Sequence, residues 1–71
     1  MRQLMENKIL AILDDMADND MENVEGFLDL DMGYWNADQG PAMSREVYTQ
    51  IVKDCSDEEL SHLYEMTIFG G

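Results

Sequence analysis

The sequence predicts an all-α protein, a compact bundle of three to four short helices that forms a single domain over residues 1–71. Apolar residues recur at helical spacing along most of the chain. Turn-forming residues cluster in one stretch, 33–43, and only Thr67–Phe69 has the composition of a strand. Hydrophobic residues make up 45% of the 71, which is enough for a core in a chain near the lower size limit for independent folding.

The first predicted helix covers residues 3–17. Its apolar residues fall at i, i+4, i+7, i+8 and i+11, the spacing of one helical stripe. No Gly or Pro interrupts the segment, and most of its residues favour helix. The stripe consists of Met5, Ile9, Ile12, Leu13 and Met16.

The second predicted helix, about 20–31, is either separate from the first or continuous with it. On a continuous helix Asp20 would fall within the apolar arc, where an unpaired carboxylate is costly. We therefore expect a break or kink at 18–20, with Asn19 and Glu22 forming a capping box. Gly33 is expected to end this helix in the left-handed conformation.

The loop at 33–43 contains two aromatic residues, Tyr34 and Trp35. One interpretation is that they cover a small core. The other is that they are an exposed anchor for a partner, because Trp and Tyr dominate interface hot spots.

Two more helices are predicted after this loop. Ser44 is placed to cap a helix near 45–55, with Met43 and Tyr48 as a hydrophobic staple. Its buried stripe is predicted to be Val47, Tyr48, Ile51, Val52 and Cys55.

The last helix has the clearest start signal in the chain. Ser56 and Glu59 form an S-x-x-E capping box, with Cys55 and Leu60 at the two staple positions around it. The residues predicted to face inward are Leu60, Leu63, Tyr64 and Ile68.

The charge of the chain is strongly negative, −12 in total. Eight of its sixteen acidic residues lie between Asp14 and Asp31, and no Lys or Arg occurs between Lys8 and Arg45. Direct binding to nucleic acid is disfavoured, because affinity for phosphates comes from clustered Lys and Arg.

A single cysteine, Cys55, fits a reducing cytoplasm, and no apolar run approaches the ~20 residues of a membrane span.

Catalysis and metal binding are poorly supported by the residues present. His62 is the only histidine, and a pair with Cys55 would lack a third group to orient it. A calcium loop starting at Asp18 would need glycine at its sixth position and glutamate at its twelfth, where this chain has Asn23 and Asp29. The sequence therefore predicts a non-enzymatic protein without cofactor or metal.

Two partial resemblances concern single features of the chain. Its small size, acidity, helical pattern and a serine opening a helix after a long loop resemble acyl carrier proteins, which implies Ser44 as the attachment point. Those proteins carry Asp-Ser-Leu where this chain has Met43-Ser44-Arg45. The terminal Gly70–Gly71 is similar to the tails of ubiquitin-like sulfur carriers, but those tails extend from a β-grasp fold.

The acidic segment itself gives the leading functional hypothesis. If the helix is continuous, five carboxylates share an arc of about 80°: Asp14, Asp18, Glu22, Glu25 and Asp29. Carboxylates three or four residues apart on a helix lie about 5–6 Å apart, close to the phosphate spacing of a nucleic-acid strand. In general character the chain looks like the small acidic DNA-mimic or inhibitor proteins of phages and mobile elements.

The hypothesis is a non-enzymatic protein that engages a basic surface of a partner, such as the nucleic-acid site of a nucleic-acid-binding protein. Tyr34 or Trp35 would supply an apolar anchor beside the acids. Two alternatives stay open: a structural or assembly subunit, including a homodimer, that pairs through its apolar helix stripes, and a charged face that only keeps the protein soluble.

Overall fold

The computed structural model describes residues 2–36 and 38–69. It contains four α-helices and one π-helical turn: α1 (Arg2–Asn19), α2 (Met21–Gly26), the π turn (Phe27–Asp31), α3 (Arg45–Asp54) and α4 (Asp57–Phe69). The described part of the chain has no strand, so the predicted all-α class is confirmed. Thr67–Phe69 is the last turn of α4 rather than a strand, and Gly70–Gly71 lies outside the described residues.

The predicted break between the first two helices is present at Asp20. Its backbone is extended (φ −167°, ψ 123°), and its side chain accepts a hydrogen bond from the Glu22 amide at 3.0 Å. The prediction of Asn19 as the N-cap is wrong by one residue, because Asn19 is still helical in α1. As a cap, Asp20 is exposed to water, which removes the cost of a carboxylate in the apolar arc.

The π turn continues α2 and is followed, after Met32, by a glycine in the left-handed conformation. The Met32 amide donates to the Phe27 carbonyl, five residues back, at 3.0 Å. Gly33 then adopts φ 68°, as predicted, and its amide donates to the Asp29 carbonyl at 3.1 Å. A π turn adds a residue to the helical circuit, and such turns are frequent at functional sites.

Alanine substitutions at two glycines in this region should change the free energy of unfolding in opposite directions. Gly33→Ala should lower the free energy of unfolding by about 1–2 kcal/mol, because a side chain disfavours the left-handed backbone. Gly26→Ala should raise it by about 0.5–1 kcal/mol, because Gly26 is helical (φ −62°, ψ −42°) and its added Cβ meets nothing within 4 Å. Urea denaturation of both variants measures the two effects. Equal destabilisation by both would contradict the backbone argument.

The predicted caps of α3 and α4 are confirmed. The Ser44 Oγ accepts from the Val47 amide at 3.3 Å. Ser56 and Glu59 form the reciprocal capping box, with the Ser56 amide donating to the Glu59 carboxylate at 2.9 Å and the Glu59 amide donating to the Ser56 Oγ at 3.1 Å. The hydrogen bond from the Ser56 amide, followed by the interaction of the Ser56 side chain with the Glu59 carboxylate, holds the pKa of Glu59 below its usual value.

The core lies where α1 packs against α3 and α4, with α2 closing one side. Seven of the fourteen predicted stripe residues are buried and six are half-buried. Ile68 is 40% exposed, so its predicted inward orientation is wrong. The fully buried hydrophobic side chains are Ile9, Leu13, Val24, Leu28, Val52, Leu60 and Leu63, and Tyr48 is 1% exposed.

Arg2 ties the start of α1 to the junction of α3 and α4. Its guanidinium donates to the Lys53 and Cys55 carbonyls at 3.0 and 2.6 Å, and pairs with Glu6 and Asp57, each at 2.8 Å. A cation at the C-terminal carbonyls of α3 interacts favourably with the helix dipole.

Candidate partner-binding surface

The break at Asp20 separates the five predicted acidic residues into two groups. Asp14 and Asp18 are on α1, whereas Glu22, Glu25 and Asp29 follow on α2 and the π turn. The second group lines one shallow depression of about 260 Å³, together with Gly26 and Leu30. The structure therefore brings three of the five predicted carboxylates together, and the continuous row expected from one helix is absent.

Asp14 has a structural role that the sequence analysis did not assign. Its carboxylate accepts hydrogen bonds from the Tyr48 hydroxyl and from Arg45, whose Nε and Nη2 lie at 3.1 and 3.3 Å. The hydrogen bond from Tyr48, followed by that from Arg45, lowers the pKa of Asp14. Burial, then the hydrogen bond to Asp14, raises the pKa of Tyr48 to about 12. Asp14 thus joins α1 to α3, and its charge is already compensated by Arg45.

A second groove lies in the corner between the end of α1 and the α2–π segment. We call it the corner groove; it measures about 520 Å³ and adjoins the depression above through the shared residues Glu22, Gly26 and Leu30. Its apolar surface includes Leu30, which is 83% exposed, and the half-buried Phe27. The complete lining is Asp15, Met16, Asn19, Glu22, Asn23, Gly26, Phe27, Leu30 and Asp31.

Among residues 2–36 and 38–69, no Lys or Arg forms an ion pair with an acid of these two grooves. Among the described residues, the ion pairs formed by Arg2 and Arg45 involve Glu6, Asp57 and Asp14 only. No Lys or Arg lines either groove. Arg2, Arg45 and Lys53 instead line a separate groove between α1 and α3. We refer to the uncompensated set as the acidic rim: Asp15, Glu22, Glu25, Asp29 and Asp31.

Tyr34 and Trp35 are half-buried and pack against the core, which fits the core-covering interpretation. The Tyr34 hydroxyl donates to the Glu59 carbonyl at 3.3 Å, and burial raises the pKa of Tyr34. Trp35 lies so close to Gly40 that a Cβ there would be 2.8 Å from the indole Nε1. Both rings also line a depression with Asp29, next to the acidic rim. Their contribution to partner binding stays a prediction.

Asp15, Asp31, Gly26 and Leu30 were not among the predicted site residues. On a continuous helical wheel Asp15 falls at the edge of the charged arc and Asp31 falls outside it, whereas in the structure both line one groove with Glu22. One local signal was available. Leu30 is flanked by Asp29 and Asp31 and lies outside the apolar stripe of its helix, as an exposed side chain would.

The remaining candidate residues have ordinary surroundings. His62 is exposed on α4, and Cys55 is buried, which raises the pKa of its thiol. Within residues 2–36 and 38–69, no three His, Cys, Asp or Glu side chains are grouped so that they could hold a metal ion. None of the described helices has the length and hydropathy needed to span a bilayer.

Comparisons with known proteins give no relative: no family model, no curated protein and no solved structure matches this chain.

Proposed function

We propose that this protein is a non-enzymatic binding protein that engages a basic surface of a partner protein through its acidic rim. The observation that carries the proposal is the set of five carboxylates on two adjoining grooves, which no Lys or Arg lines in the described part of the chain. Ordinary soluble surfaces intersperse both signs of charge. A concentrated, uncompensated patch instead speeds association with an oppositely charged surface and selects against other partners.

The proposed class of partner is a protein that binds nucleic acid. Glu22 and Glu25 are three residues apart, and Asp29 follows four residues later. On an α-helix this spacing places the Cβ atoms of Glu22 and Glu25 about 5–6 Å apart. Asp29 follows on the π turn and lines the same depression, so the three carboxylates form a group that a phosphate-binding groove would accept. The specific form of the proposal is an inhibitor that mimics nucleic acid, of the type that phages and mobile elements use.

Assembly through the apolar stripes is the second hypothesis, and the fold bears on it. All but one of the stripe residues are buried or half-buried within the protein's own fold. A homo-oligomer would therefore rely mainly on the large apolar side chains that are exposed, which among the described residues are Leu4, Leu30, Ile68 and Phe69.

A charge-neutral triple variant tests the proposal. Glu22→Gln, Glu25→Gln and Asp29→Asn together remove three charges from the rim without changing side-chain shape. We expect capture of the partner from source-cell extract, quantified by mass spectrometry, to fall about 10–100-fold, since each charge pair contributes roughly 0.5–1 kcal/mol. Captured protein should elute as salt rises, and duplex DNA should displace it.

The matched control removes the same three charges elsewhere. Glu46→Gln, Glu65→Gln and Asp38→Asn are exposed positions on α3, α4 and the loop. This variant should capture the partner as the unmodified protein does. Equal capture by both triple variants would show that total charge, and not the acidic rim, is responsible, and the proposal would fail.

A further inference from the structure

We infer that the partner segment in the corner groove is a basic amphipathic helix, which places apolar side chains against Phe27 and Leu30 and its Lys and Arg side chains against the acidic rim. This inference rests on the proposed function for the role of the charge. Beyond the proposed function, it specifies that the partner segment is helical and that it contacts this protein through apolar side chains as well as through charge.

The absence of a side chain at Gly26 is the first feature that favours a closely packed partner. It has ordinary right-handed helical dihedrals, and a Cβ at this position would meet no atom within 4 Å. The fold therefore does not require glycine here, although glycine costs a helix about 0.5–1 kcal/mol relative to alanine. Gly26 lines both grooves. A missing side chain at their shared wall leaves room for a second backbone to approach α2.

The apolar surface of the groove is the second observation. Leu30 is 83% exposed, and Phe27 and Met16 are half-buried beside it. The groove is open to solvent, so these apolar side chains are accessible to those of a partner. A partner that offered only charge would leave this surface exposed to water.

The negative charges that line the groove favour a partner helix that carries Lys and Arg. Asp15, Glu22 and Asp31 line the groove together with its apolar side chains, and none of the described Lys or Arg residues lines it. An amphipathic helix that lays an apolar face in a groove supplies anchors three or four residues apart, and Lys or Arg beside those anchors would reach the carboxylates. A second copy of this chain fits poorly, because it brings its own net charge of −12 and has only four Lys and Arg.

The test uses two synthetic peptides of about 16 Lys and Leu residues, roughly 24 Å long as helices, comparable with the 31 × 23 × 20 Å extents of the protein. One is amphipathic; the other has the same composition in a scrambled, non-amphipathic order. Fluorescence anisotropy measures the affinity of each for the full chain. We expect the amphipathic peptide to bind about tenfold or more tightly than the scrambled one.

Two variants test the apolar contact without changing the charge: one fills part of the groove, and the other removes an apolar side chain that lines it. Gly26→Gln extends a side chain into the groove while improving helix propensity, so loss of folding cannot explain its effect. Leu30→Ser removes the exposed anchor. Each should weaken amphipathic-peptide binding about tenfold or more, the equivalent of burying roughly one Leu side chain. The control Phe69→Ser, an equivalent change at a residue 80% exposed on α4, should alter it by less than about twofold.

The contrary outcomes separate this inference from the proposed function. Equal binding of both peptides, lost in the charge-neutral triple variant but unchanged in Gly26→Gln and Leu30→Ser, would overturn the helix inference and leave the acidic binder standing. Sedimentation that shows a dimer dissociated by Leu30→Ser would overturn it in favour of a second copy. Absence of binding by either peptide would also overturn it, and the capture experiment would then decide the proposed function independently.

Discussion

Replacing Leu13 by Ala is expected to lower the free energy of unfolding by about 2–5 kcal/mol. Leu13 is fully buried in α1, the helix that packs against both α3 and α4. The substitution removes apolar contacts and leaves a cavity that fixed neighbouring helices cannot fill. A chain of 71 residues is expected to have a total stability of roughly 4–11 kcal/mol, so this single change removes a large part of it. Urea denaturation followed by circular dichroism measures the difference.

Leu30→Ala is the matched control, because it removes the same atoms from a side chain that is 83% exposed. Its expected effect is within about 0.5 kcal/mol. Similar losses at the two positions would mean that Leu30 is buried in solution, which would contradict both the fold and its availability in the corner groove. A pronounced loss at Leu13 alone leaves Leu30 free for a partner.

The helices and their ends could be predicted because their signals are local in sequence. Ser44, the Ser56–Glu59 capping box and Gly33 each act on backbone groups within a few residues. The stripe that contains Ile9 and Leu13 follows from helical periodicity alone. Such features depend little on how the helices are later arranged.

The arrangement of the candidate site could not be predicted in the same way. Asp14 was assigned to a partner-binding face, but its hydrogen-bond partners Arg45 and Tyr48 are 31 and 34 residues away in sequence. A helical wheel contains no information about such tertiary contacts. The wheel also assumes one continuous axis, and the extended backbone of Asp20 ends that axis. Asp15 and Asp31 line one groove in the structure, although a continuous wheel separates them by about 160°.

The acidic residues between Asp14 and Asp31 therefore fall into two sets, one that stabilises the fold and one that is available to a partner. Asp14 and Asp20 stabilise the fold, one as a hydrogen-bond acceptor between helices and the other as a helix cap. The acidic rim has no comparable internal partner among the described residues. Substitutions in the two sets should therefore separate stability from binding: changes at Asp14 affect folding first, and changes at Glu22 affect only the partner.

Tyr48→Phe is accordingly expected to destabilise the protein by about 1.5–3 kcal/mol, the usual contribution of a hydrogen bond to a charged group. The ring stays buried, so the loss is that of the hydroxyl contact with Asp14. Asp14→Asn should cost less, about 1 kcal/mol, because its side chain is 38% exposed and water screens the charge. A double-mutant cycle by urea denaturation should give a coupling energy of about 1 kcal/mol. Glu22→Gln, an exposed acid on α2, should change stability by less than about 0.5 kcal/mol.

The dependence of stability on pH supplies a second measurement of the same contact. The pKa of Tyr48 is raised to about 12 in the folded state, against about 10 when unfolded. Its contribution is therefore complete below about pH 10 and is lost as pH rises to 12, because the unfolded state releases the proton first. Asp14 has a lowered pKa, so its contribution is present above about pH 4 and is lost on further acidification.

Tyr48→Phe should reduce the slope of stability against pH at both ends, whereas the raised pKa values of Tyr34 and Cys55 leave part of the alkaline slope in place. An unchanged slope at both ends would show that Tyr48 and Asp14 do not interact in solution, and Asp14 would then return to the set of carboxylates available to a partner.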